Sequence, residues 1–297
     1  MFFGLSAFPL TPMHNNSIDE GAFIGLIQRL VDAEVDSIGV LGSTGNYAYL
    51  TRDERKRVSQ LAVQHAKHIP IMVGISALDA REVLLNLEDA QTAGASAVLL
   101  APMSYQQLTE DEVFKLYERV TSQLSVPLCV YDNPGTTHFH FSDELHGRIA
   151  QLPNVRSIKI PGVPIEPKAA KDRVDNLRAL IPDYVTIGVS GDAYAATGLN
   201  AGCDVWYSVI GGLYPKTAKA ITTAALKGNK QEALLLSESL NPLWDLFRCH
   251  GGSLRVMSSA AEIQNLVKAP SLPFPLSALE GTEREKLAQL INQLELS

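Results

Sequence analysis

One lysine occupies a position where an apolar strand is expected. Lys159 lies near the end of the apolar run Val155–Ile160, which has the composition of a strand buried on both faces. An unpaired ammonium is costly in apolar surroundings, whereas a lysine that loses its proton there becomes a nucleophile. Such an amine can form a Schiff base with a carbonyl substrate. The alternative is a strand-end lysine that pairs with a carboxylate, which is the more frequent arrangement in proteins.

Other polar residues follow other apolar runs. Ser43 and Thr44 lie in the Gly-Ser-Thr-Gly turn of residues 42–45, whose hydroxyl and backbone N–H groups can hold a carboxylate. Tyr131 ends another run and can transfer protons to and from imine intermediates. Each feature also has a structural interpretation, as turn residues for Ser43 and Thr44 and as a packing residue for Tyr131. Together with Lys159 they favour imine chemistry.

The elements that must position these residues alternate regularly along the chain. Segments with apolar residues at helical spacing separate eight β-rich runs: 5–10, 37–41, 70–75, 97–101, 127–131, 155–160, 185–189 and 205–210. Caps ahead of acidic first turns mark helix starts at Ser17, Thr51, Thr109 and Ser142. Strands that are apolar on both faces, in unbroken alternation with helices, predict an α/β fold, a closed (β/α)8 TIM barrel.

The barrel is expected to span residues 1–228, with its eighth helix after Pro215 and a helix end near Gly228. Residues 229–297 contain no convincing strand and predict a C-terminal helical appendage of about three helices. A break is expected at Asn241-Pro242, and a proline-rich crossing over residues 269–275. In such a barrel the chemistry collects at the carboxyl ends of the strands: residues 42–45, Tyr105, Tyr131, Lys159 and Gly191-Asp192.

The charge composition indicates which kind of molecule the protein binds. The 32 acidic and 25 basic residues give a net charge of −7 without long blocks of one sign, which disfavours nucleic acid and anionic membranes and favours a small molecule. The three cysteines lie far apart with no C-x-x-C pair, which fits neither a disulfide framework nor a zinc site. The start has no basic leader and no apolar run reaches membrane-spanning length, so a cytoplasmic protein with reduced thiols is expected.

Several motifs resemble those of one family. Residues 42–45 and the positions that follow through Arg55 are similar to the substrate-carboxylate signature of the dihydrodipicolinate synthase and N-acetylneuraminate lyase family. The Tyr-Asp-Asn-Pro-Gly run of residues 131–135 resembles the family's tyrosine motif, and Lys159 follows it at the spacing of the family's Schiff-base lysine. Residues 69–82 resemble its third strand and helix. The similarity covers the predicted barrel throughout, and the helical tail has the family's length.

The resemblance implies roles for these residues. Lys159 would attack the ketone of pyruvate or another 2-keto acid, and Tyr131 would transfer protons and steady the imine. Ser43, Thr44 and Gly45 would hold the substrate carboxylate. The other residues implied at the substrate are Thr136, Gly191 and Tyr207, the last near the position whose backbone carbonyl meets the Schiff base in relatives. The resemblance also implies a homo-oligomer, a dimer or a dimer of dimers, with no metal and no organic cofactor.

Departures from the family pattern concern the second substrate. Dihydrodipicolinate synthases carry an arginine two residues after the proline of the tyrosine motif, where it meets the carboxylate of that substrate; here the position is Thr136, which cannot form a bidentate ion pair. Asn46 replaces the usual glutamate. The family's interdigitating tyrosine, which neighbouring subunits contribute to the proton relay, aligns with Met103 and Ser104, and Tyr105 is the candidate to replace it.

These observations predict a lyase of the aldolase type that forms a lysine Schiff base with pyruvate or a 2-keto acid. Dehydration of a 2-keto-3-deoxy sugar acid through the same enamine is one alternative. A 4-hydroxy-tetrahydrodipicolinate (dihydrodipicolinate) synthase, despite Thr136, is a second, and a non-catalytic protein that binds keto acids is a third. His138 and His140 could suggest a metal pair, but no third ligand is evident and solvent or loop histidines are favoured. Asp192 is expected to cap the next helix or to bind substrate hydroxyls.

Overall fold

Eight parallel strands close into a barrel in the computed structural model of the chain, which describes residues 1–297. The chain has ten strands, and the barrel contains all of them except β2 and β3: β1 (Gly4–Ala7), β2 (Met13–His14), β3 (Ser17–Ile18), β4 (Ser37–Val40), β5 (Ile71–Gly74), β6 (Ala97–Leu100), β7 (Leu128–Tyr131), β8 (Val155–Ile160), β9 (Thr186–Val189) and β10 (Val205–Ser208). β2 and β3 form a separate antiparallel pair, and β1 closes the barrel between β4 and β10. The predicted (β/α)8 barrel is confirmed.

Helices alternate with the barrel strands. They are α1 (Glu20–Asp32), α2 (Arg52–His65), α3 (Ala80–Ala93), α4 (Glu110–Thr121), α5 (Pro134–Thr137), α6 (Asp143–Ala150), α7 (Pro167–Arg178), α8 (Ala195–Ala201), α9 (Pro215–Leu226), α10 (Lys230–Glu238), α11 (Asn241–Cys249), α12 (Ser253–Ile263) and α13 (Gly281–Leu294). Thr51, Thr109 and Ser142 cap α2, α4 and α6 as predicted. The cap expected at Ser17 is wrong, because Ser17 pairs in β3 and Asp19 caps α1.

The barrel has an inner and an outer apolar layer. Along β7, Cys129 and Tyr131 belong to a cluster of nine buried residues, whereas Leu128 and Val130 belong to a cluster of 75 that includes residues of the helices. Successive side chains of a strand point to opposite faces, so the smaller cluster fills the barrel interior. The candidate site lies at one end of this interior.

The C-terminal segment contains four helices, α10 to α13, where three were expected. The additional boundary lies at Gly251 and Gly252, whose φ angles of 68° and 127° end the helical path between α11 and α12. The helix break lies at residues 239–240, directly before the predicted Asn241-Pro242, which begin α11, and the crossing of residues 269–275 is helix-free as predicted. Trp244 of α11 is buried in the same cluster of 75 residues as the barrel, and the boundary at residues 228 and 229 stays a prediction. None of the helices has the length and apolar character needed to cross a membrane.

Candidate active site

Lys159 lies in the middle of the barrel wall with its amine among aromatic rings. Its backbone position is fixed on both sides, because β8 pairs it with Tyr131 of β7 and Gly188 of β9. The Nζ atom lies 4.4 Å from the ring centre of Phe8, 4.0 Å from that of Tyr131 and 5.7 Å from that of Tyr207. Lys159 takes part in none of the ion pairs of the molecule. The alternative interpretation, a lysine paired with a carboxylate, is therefore wrong.

Two glycines make room for the rings around the amine. A Cβ atom on Gly39 of β4 would lie 2.4 Å from the Phe8 ring, and one on Gly188 would lie 2.2 Å from the Tyr207 ring. Only a residue without a side chain fits at such distances. The strand sequences therefore place both rings against the inside of the barrel, where they form the apolar wall beside Lys159.

The hydroxyl of Tyr131 belongs to a hydrogen-bond network at the mouth of the barrel. It lies 3.3 Å from Oγ of Ser43 and accepts a bond of 2.8 Å from the side-chain amide of Asn133. The same amide donates to Oγ1 of Thr136 over 2.6 Å. Sequence reasoning assigned no role to Asn133, although its place in the tyrosine motif was a signal. Asn133 fixes the Tyr131 hydroxyl at the open end of the cavity that Lys159 lines.

The turn after β4 presents Ser43 and Thr44 to the cavity. Leu41 begins the turn with a φ angle of 57°, a left-handed conformation that is costly for a bulky residue, and the N–H of Gly45 closes it by donating to the carbonyl of Gly42 over 2.9 Å. Thr44 is buried and lines the cavity, but Tyr131 bonds Ser43 rather than Thr44. Gly45 does not line the cavity; a Cβ atom there would lie 2.9 Å from the backbone nitrogen of Leu41, so this glycine shapes the turn.

A cavity of about 880 Å³ opens above the amine, large enough for a substrate several times the size of pyruvate. Seven of the nine residues predicted at the site line it: Ser43, Thr44, Tyr131, Thr136, Lys159, Gly191 and Tyr207. Gly45 and Tyr105 do not. The Tyr105 side chain is 92% exposed and Met103 reaches the cavity instead. Within one chain Tyr105 therefore cannot reach the site, and its predicted role would require a neighbouring subunit.

A buried polar layer lies below the amine and was missed from the sequence. The hydroxyl of Tyr207 lies 2.6 Å from Oγ of Ser157 and accepts a bond of 3.4 Å from the thiol of Cys129. Oγ1 of Thr186 donates to Ser157 over 2.8 Å. Burial raises the pKa of Cys129 to about 11 and raises the pKa of Tyr207 as well, so the layer is uncharged at neutral pH.

Asp192 fastens the loop that follows β10 rather than capping a helix. Its Oδ1 accepts bonds of 3.1 Å from Nε1 of Trp206 and from the N–H of Val209, and its Oδ2 accepts one of 2.7 Å from the N–H of Ile210. Burial raises the pKa of this carboxyl group. Because both oxygens are engaged, the expectation of a helix cap is wrong. Gly191, with a φ angle of 80°, turns the chain so that Asp192 points toward β10.

Two buried ionisable side chains, Asp132 and His146, lie close together beside the tyrosine motif. Oδ2 of Asp132 lies 3.5 Å from Nε2 of His146, whose side chain is fully buried and stacks on Phe141 at 4.8 Å between ring centres. Burial raises the pKa of Asp132 to about 7 and lowers the pKa of His146 to about 3. The pair therefore carries its proton on the carboxyl group near pH 5, and joins the loop after β7 to α6.

His138 and His140 border a different cavity, of about 500 Å³, together with Glu110. Both are exposed, and no group of three potential metal ligands occurs in the chain. The interpretation as loop histidines agrees with these positions.

Known proteins similar to this chain share its whole length. The profile of the dihydrodipicolinate synthetase family matches residues 1–294. The solved dihydrodipicolinate synthase from Agrobacterium tumefaciens is 42% identical with a TM-score of 0.94, over 99% of this chain and 98% of that one. The 4-hydroxy-tetrahydrodipicolinate synthase of Protochlamydia amoebophila is 26% identical over 96% of this chain and 93% of its own.

A third relative shares the fold at lower identity. The dihydrodipicolinate synthase from Acinetobacter baumannii, solved in complex with pyruvate, is 24% identical with a TM-score of 0.89, over the full length of both chains. The match of the family profile, which covers nearly every residue, agrees with the barrel and with the motifs around Tyr131 and Lys159. The chain therefore belongs to the dihydrodipicolinate synthetase family, whose members are Schiff-base-forming lyases.

Proposed function

We propose that this chain is a pyruvate-dependent aldolase that uses Lys159 to form an imine with pyruvate or a related 2-keto acid. The observation that carries the proposal is the unpaired amine, which lies 4.0 Å from the Tyr131 ring at the base of an 880 Å³ cavity. A lysine without a carboxylate partner, in an apolar wall beside a hydrogen-bonded phenol, has the surroundings of a nucleophile. The pyruvate bound to the Acinetobacter baumannii relative supports the choice of keto acid.

The steps of the reaction follow from these positions. Ser43 and Thr44 hold the carboxylate of the keto acid, and the neutral amine of Lys159 attacks its ketone carbon to give a carbinolamine. Tyr131 donates a proton as water leaves, and the imine forms. The Tyr131 phenolate then takes a proton from the neighbouring carbon, which gives an enamine. The enamine attacks the carbonyl carbon of an aldehyde, and Tyr131 returns the proton to the new alkoxide oxygen. Addition of water releases the product and restores the amine; cleavage is the same sequence in reverse.

A second candidate is condensation of pyruvate with aspartate semialdehyde, the activity of a 4-hydroxy-tetrahydrodipicolinate synthase. The names of the relatives favour it, since curated proteins of 26% identity over nearly the whole chain carry this name. Thr136 disfavours it, because its hydroxyl is already bound by Asn133 and it has no charge to offer a carboxylate. Activity with this aldehyde as acceptor would favour the second candidate.

Two alternatives remain, one that shares the imine and one that retains the pocket without turnover. A dehydratase would release water from a 2-keto-3-deoxy sugar acid, and a non-catalytic protein would bind keto acids without turnover. The expected dimer or tetramer stays a prediction that sedimentation can check. A panel of aldehydes and sugar acids, scored both by consumption or release of pyruvate and by loss of the sugar acid itself, separates these possibilities.

The imine itself is tested by reductive trapping. We expect pyruvate with sodium cyanoborohydride to add one reduced pyruvate to the protein, and peptide mass spectrometry to locate it at Lys159. Lys159→Arg should abolish the adduct, because a guanidinium is not a nucleophile at neutral pH. Lys171→Arg, on the exposed face of α7, is the matched control and should be trapped like the unaltered chain. Absence of an adduct at Lys159 would overturn the proposed function.

A further inference from the structure

The cavity is far more basic than the molecule as a whole. The chain has a net charge of −7, yet the titratable side chains that line the cavity include the four basic residues Lys159, Arg248, His250 and Arg255. The single carboxylate among the lining residues, Asp192, has both oxygens bound within the barrel. The outer part of the cavity, formed by α11 and the start of α12, therefore presents basic side chains that the chemistry at Lys159 does not use.

Arg255 is the basic residue of this outer wall that has no acidic partner. Arg248 forms an ion pair with Asp245, and Nε2 of His250 lies 3.4 Å from a carboxylate oxygen of Glu283. Arg255 takes part in no ion pair; its Nη1 donates to the carbonyl of Ser277 over 2.7 Å. A guanidinium has five N–H donors, so this bond orients the side chain and leaves most of its donors free. The side chain is half-buried, which strengthens its attraction for an anion.

The position of Arg255 in the chain explains how it reaches the cavity. It is the third residue of α12, directly after the Gly251-Gly252 turn, and the first residues of that helix line the cavity together with Trp244 and Phe247 of α11. Pyruvate alone fills only a small part of 880 Å³. The remaining space, bounded by aromatic side chains and one free guanidinium, fits a longer substrate that ends in a negative charge.

We infer that Arg255 binds a carboxylate or phosphate group at the far end of the second substrate, so that the acceptor is an anionic aldehyde and the adduct is a 2-keto acid with a distal anion. This inference rests on the proposed function. In relatives an arginine at the position of Thr136 binds the second substrate. In this chain the positive charge would come from Arg255 of α12, at a different place in the cavity. Arg255 is then a specificity-determining residue and takes no part in the bond-forming steps.

The test compares trapped keto acids of equal length with and without a distal charge. The half-saturating concentration for cyanoborohydride trapping at Lys159 is measured for 2-oxoglutarate, 2-oxoadipate and 2-oxopimelate, and for the matching 2-oxo monocarboxylates. A phosphonate analogue of 2-oxohexanoate distinguishes phosphate from carboxylate recognition. We expect the best dianion to saturate at about tenfold lower concentration than its neutral-tailed match, since a charge-assisted hydrogen bond contributes about that much. Arg255→Gln should remove the difference.

Controls separate this inference from the proposed function. Pyruvate should be trapped equally by the unaltered chain and by Arg255→Gln, and Arg255→Lys should keep part of the preference. Arg119→Gln, an exposed substitution on α4 away from the cavity, should keep all of it. Equal half-saturation for dianions and monoanions, or a preference that survives in Arg255→Gln, would overturn the inference. If pyruvate gives no adduct, the proposed function fails, and calorimetry of 2-oxoadipate binding to the unaltered chain and to Arg255→Gln decides the anion subsite alone.

Discussion

The amine of Lys159 lies among aromatic rings, close to the hydrogen-bonded hydroxyl of Tyr131, so the two residues can have separate roles in the reaction. The lysine has no hydrogen-bonding carboxylate to take up a proton, whereas Tyr131 has a hydroxyl that Ser43 and Asn133 hold in place. Bond formation to the ketone therefore belongs to Lys159 in the proposed mechanism, and proton transfer belongs to Tyr131.

Removing the phenol should slow turnover without preventing the imine. For Tyr131→Phe we expect kcat to fall by about 10²- to 10⁴-fold, the usual contribution of a positioned proton donor. Trapping of pyruvate at Lys159 should still occur, only more slowly. Asn133→Ala keeps the Tyr131 hydroxyl but removes the amide that orients it, so kcat should fall by a smaller factor. Steady-state kinetics and trapping rates on the same preparations check this; equal activity of Tyr131→Phe and the unaltered chain would exclude the proposed role.

At this scale the sequence predicted the residues better than their contacts. Lys159 and Tyr131 are visible because each follows an apolar run, and in a parallel barrel every strand ends at the same mouth. The partnership of Ser157 and Tyr207 is not visible, because it depends on the register and twist of strands that lie 50 residues apart in the chain. Arg255 also escaped notice, since the path of α12 across the mouth is a tertiary feature.

The loop after β7 and helix α6 are joined by Asp132 and His146, which titrate in opposite senses. Near pH 5 the folded pair holds one proton, on Asp132, because burial raises its pKa to about 7 and lowers the pKa of His146 to about 3. The unfolded chain, with ordinary pKa values of 3.8 and 6.5, also holds one, on the histidine. Equal proton counts leave stability nearly independent of pH in this window. Asp143 and Arg173, which pair at 2.9 Å, are the other charges facing His146.

Removing either Asp132 or His146 should make the free energy of unfolding depend on pH, with a sign that differs between the two variants. In His146→Gln the folded state keeps the Asp132 proton that the unfolded chain loses, so the free energy of unfolding should fall as the pH rises from about 4 to about 7. In Asp132→Asn the unfolded chain binds the histidine proton that the folded state refuses, so the free energy of unfolding should rise with pH from about 3 to about 6.5. Urea unfolding across this range measures both; slopes of the same sign would contradict the assignment.

Element boundaries show what local sequence can and cannot predict. Thr51 and Thr109 cap their helices as expected, because a capping box is made within four residues. Ser17 does not, because pairing with His14 in the β2–β3 hairpin takes it away from α1. The fourth C-terminal helix was missed because the Gly251-Gly252 turn lies inside a segment with helical spacing on both sides.

The C-terminal helices are fastened around one buried carboxylate. Glu262 of α12 accepts bonds of 3.0 and 2.8 Å from the N–H and hydroxyl of Ser271, and one of 2.8 Å from Nη1 of Arg284 in α13. Its side chain is 3% exposed. These contacts tie α12, the crossing of residues 269–275 and α13 to one another, and so hold the outer wall of the cavity in place.

Loss of the Arg284 cation, which pairs with Glu262, should destabilise the whole molecule. Arg284→Met leaves the Glu262 carboxylate buried without its charge partner, and we expect the free energy of unfolding to fall by about 2–3 kcal/mol. Glu262→Gln combined with Arg284→Met should recover part of the loss, because no uncompensated charge remains. Lys168→Met, which breaks the exposed pair with Asp172 on α7, should cause no measurable change. Urea denaturation of the four proteins checks this, and an unchanged Arg284→Met would contradict it.

Lys159 lies on a barrel strand, whereas the outer wall of the cavity is formed by helices. This separation has a consequence for how such proteins diversify. β8 is paired along both edges, so its residues tolerate little change, whereas the cavity-lining residues on either side of the Gly251-Gly252 turn lie outside the barrel strands. Adaptation to a new acceptor can therefore proceed by altering residues 248–250 and 253–255, with the two glycines kept for their positive φ angles, while the covalent step is inherited intact. A mutagenesis library confined to those residues is the shortest experimental route to altered selectivity.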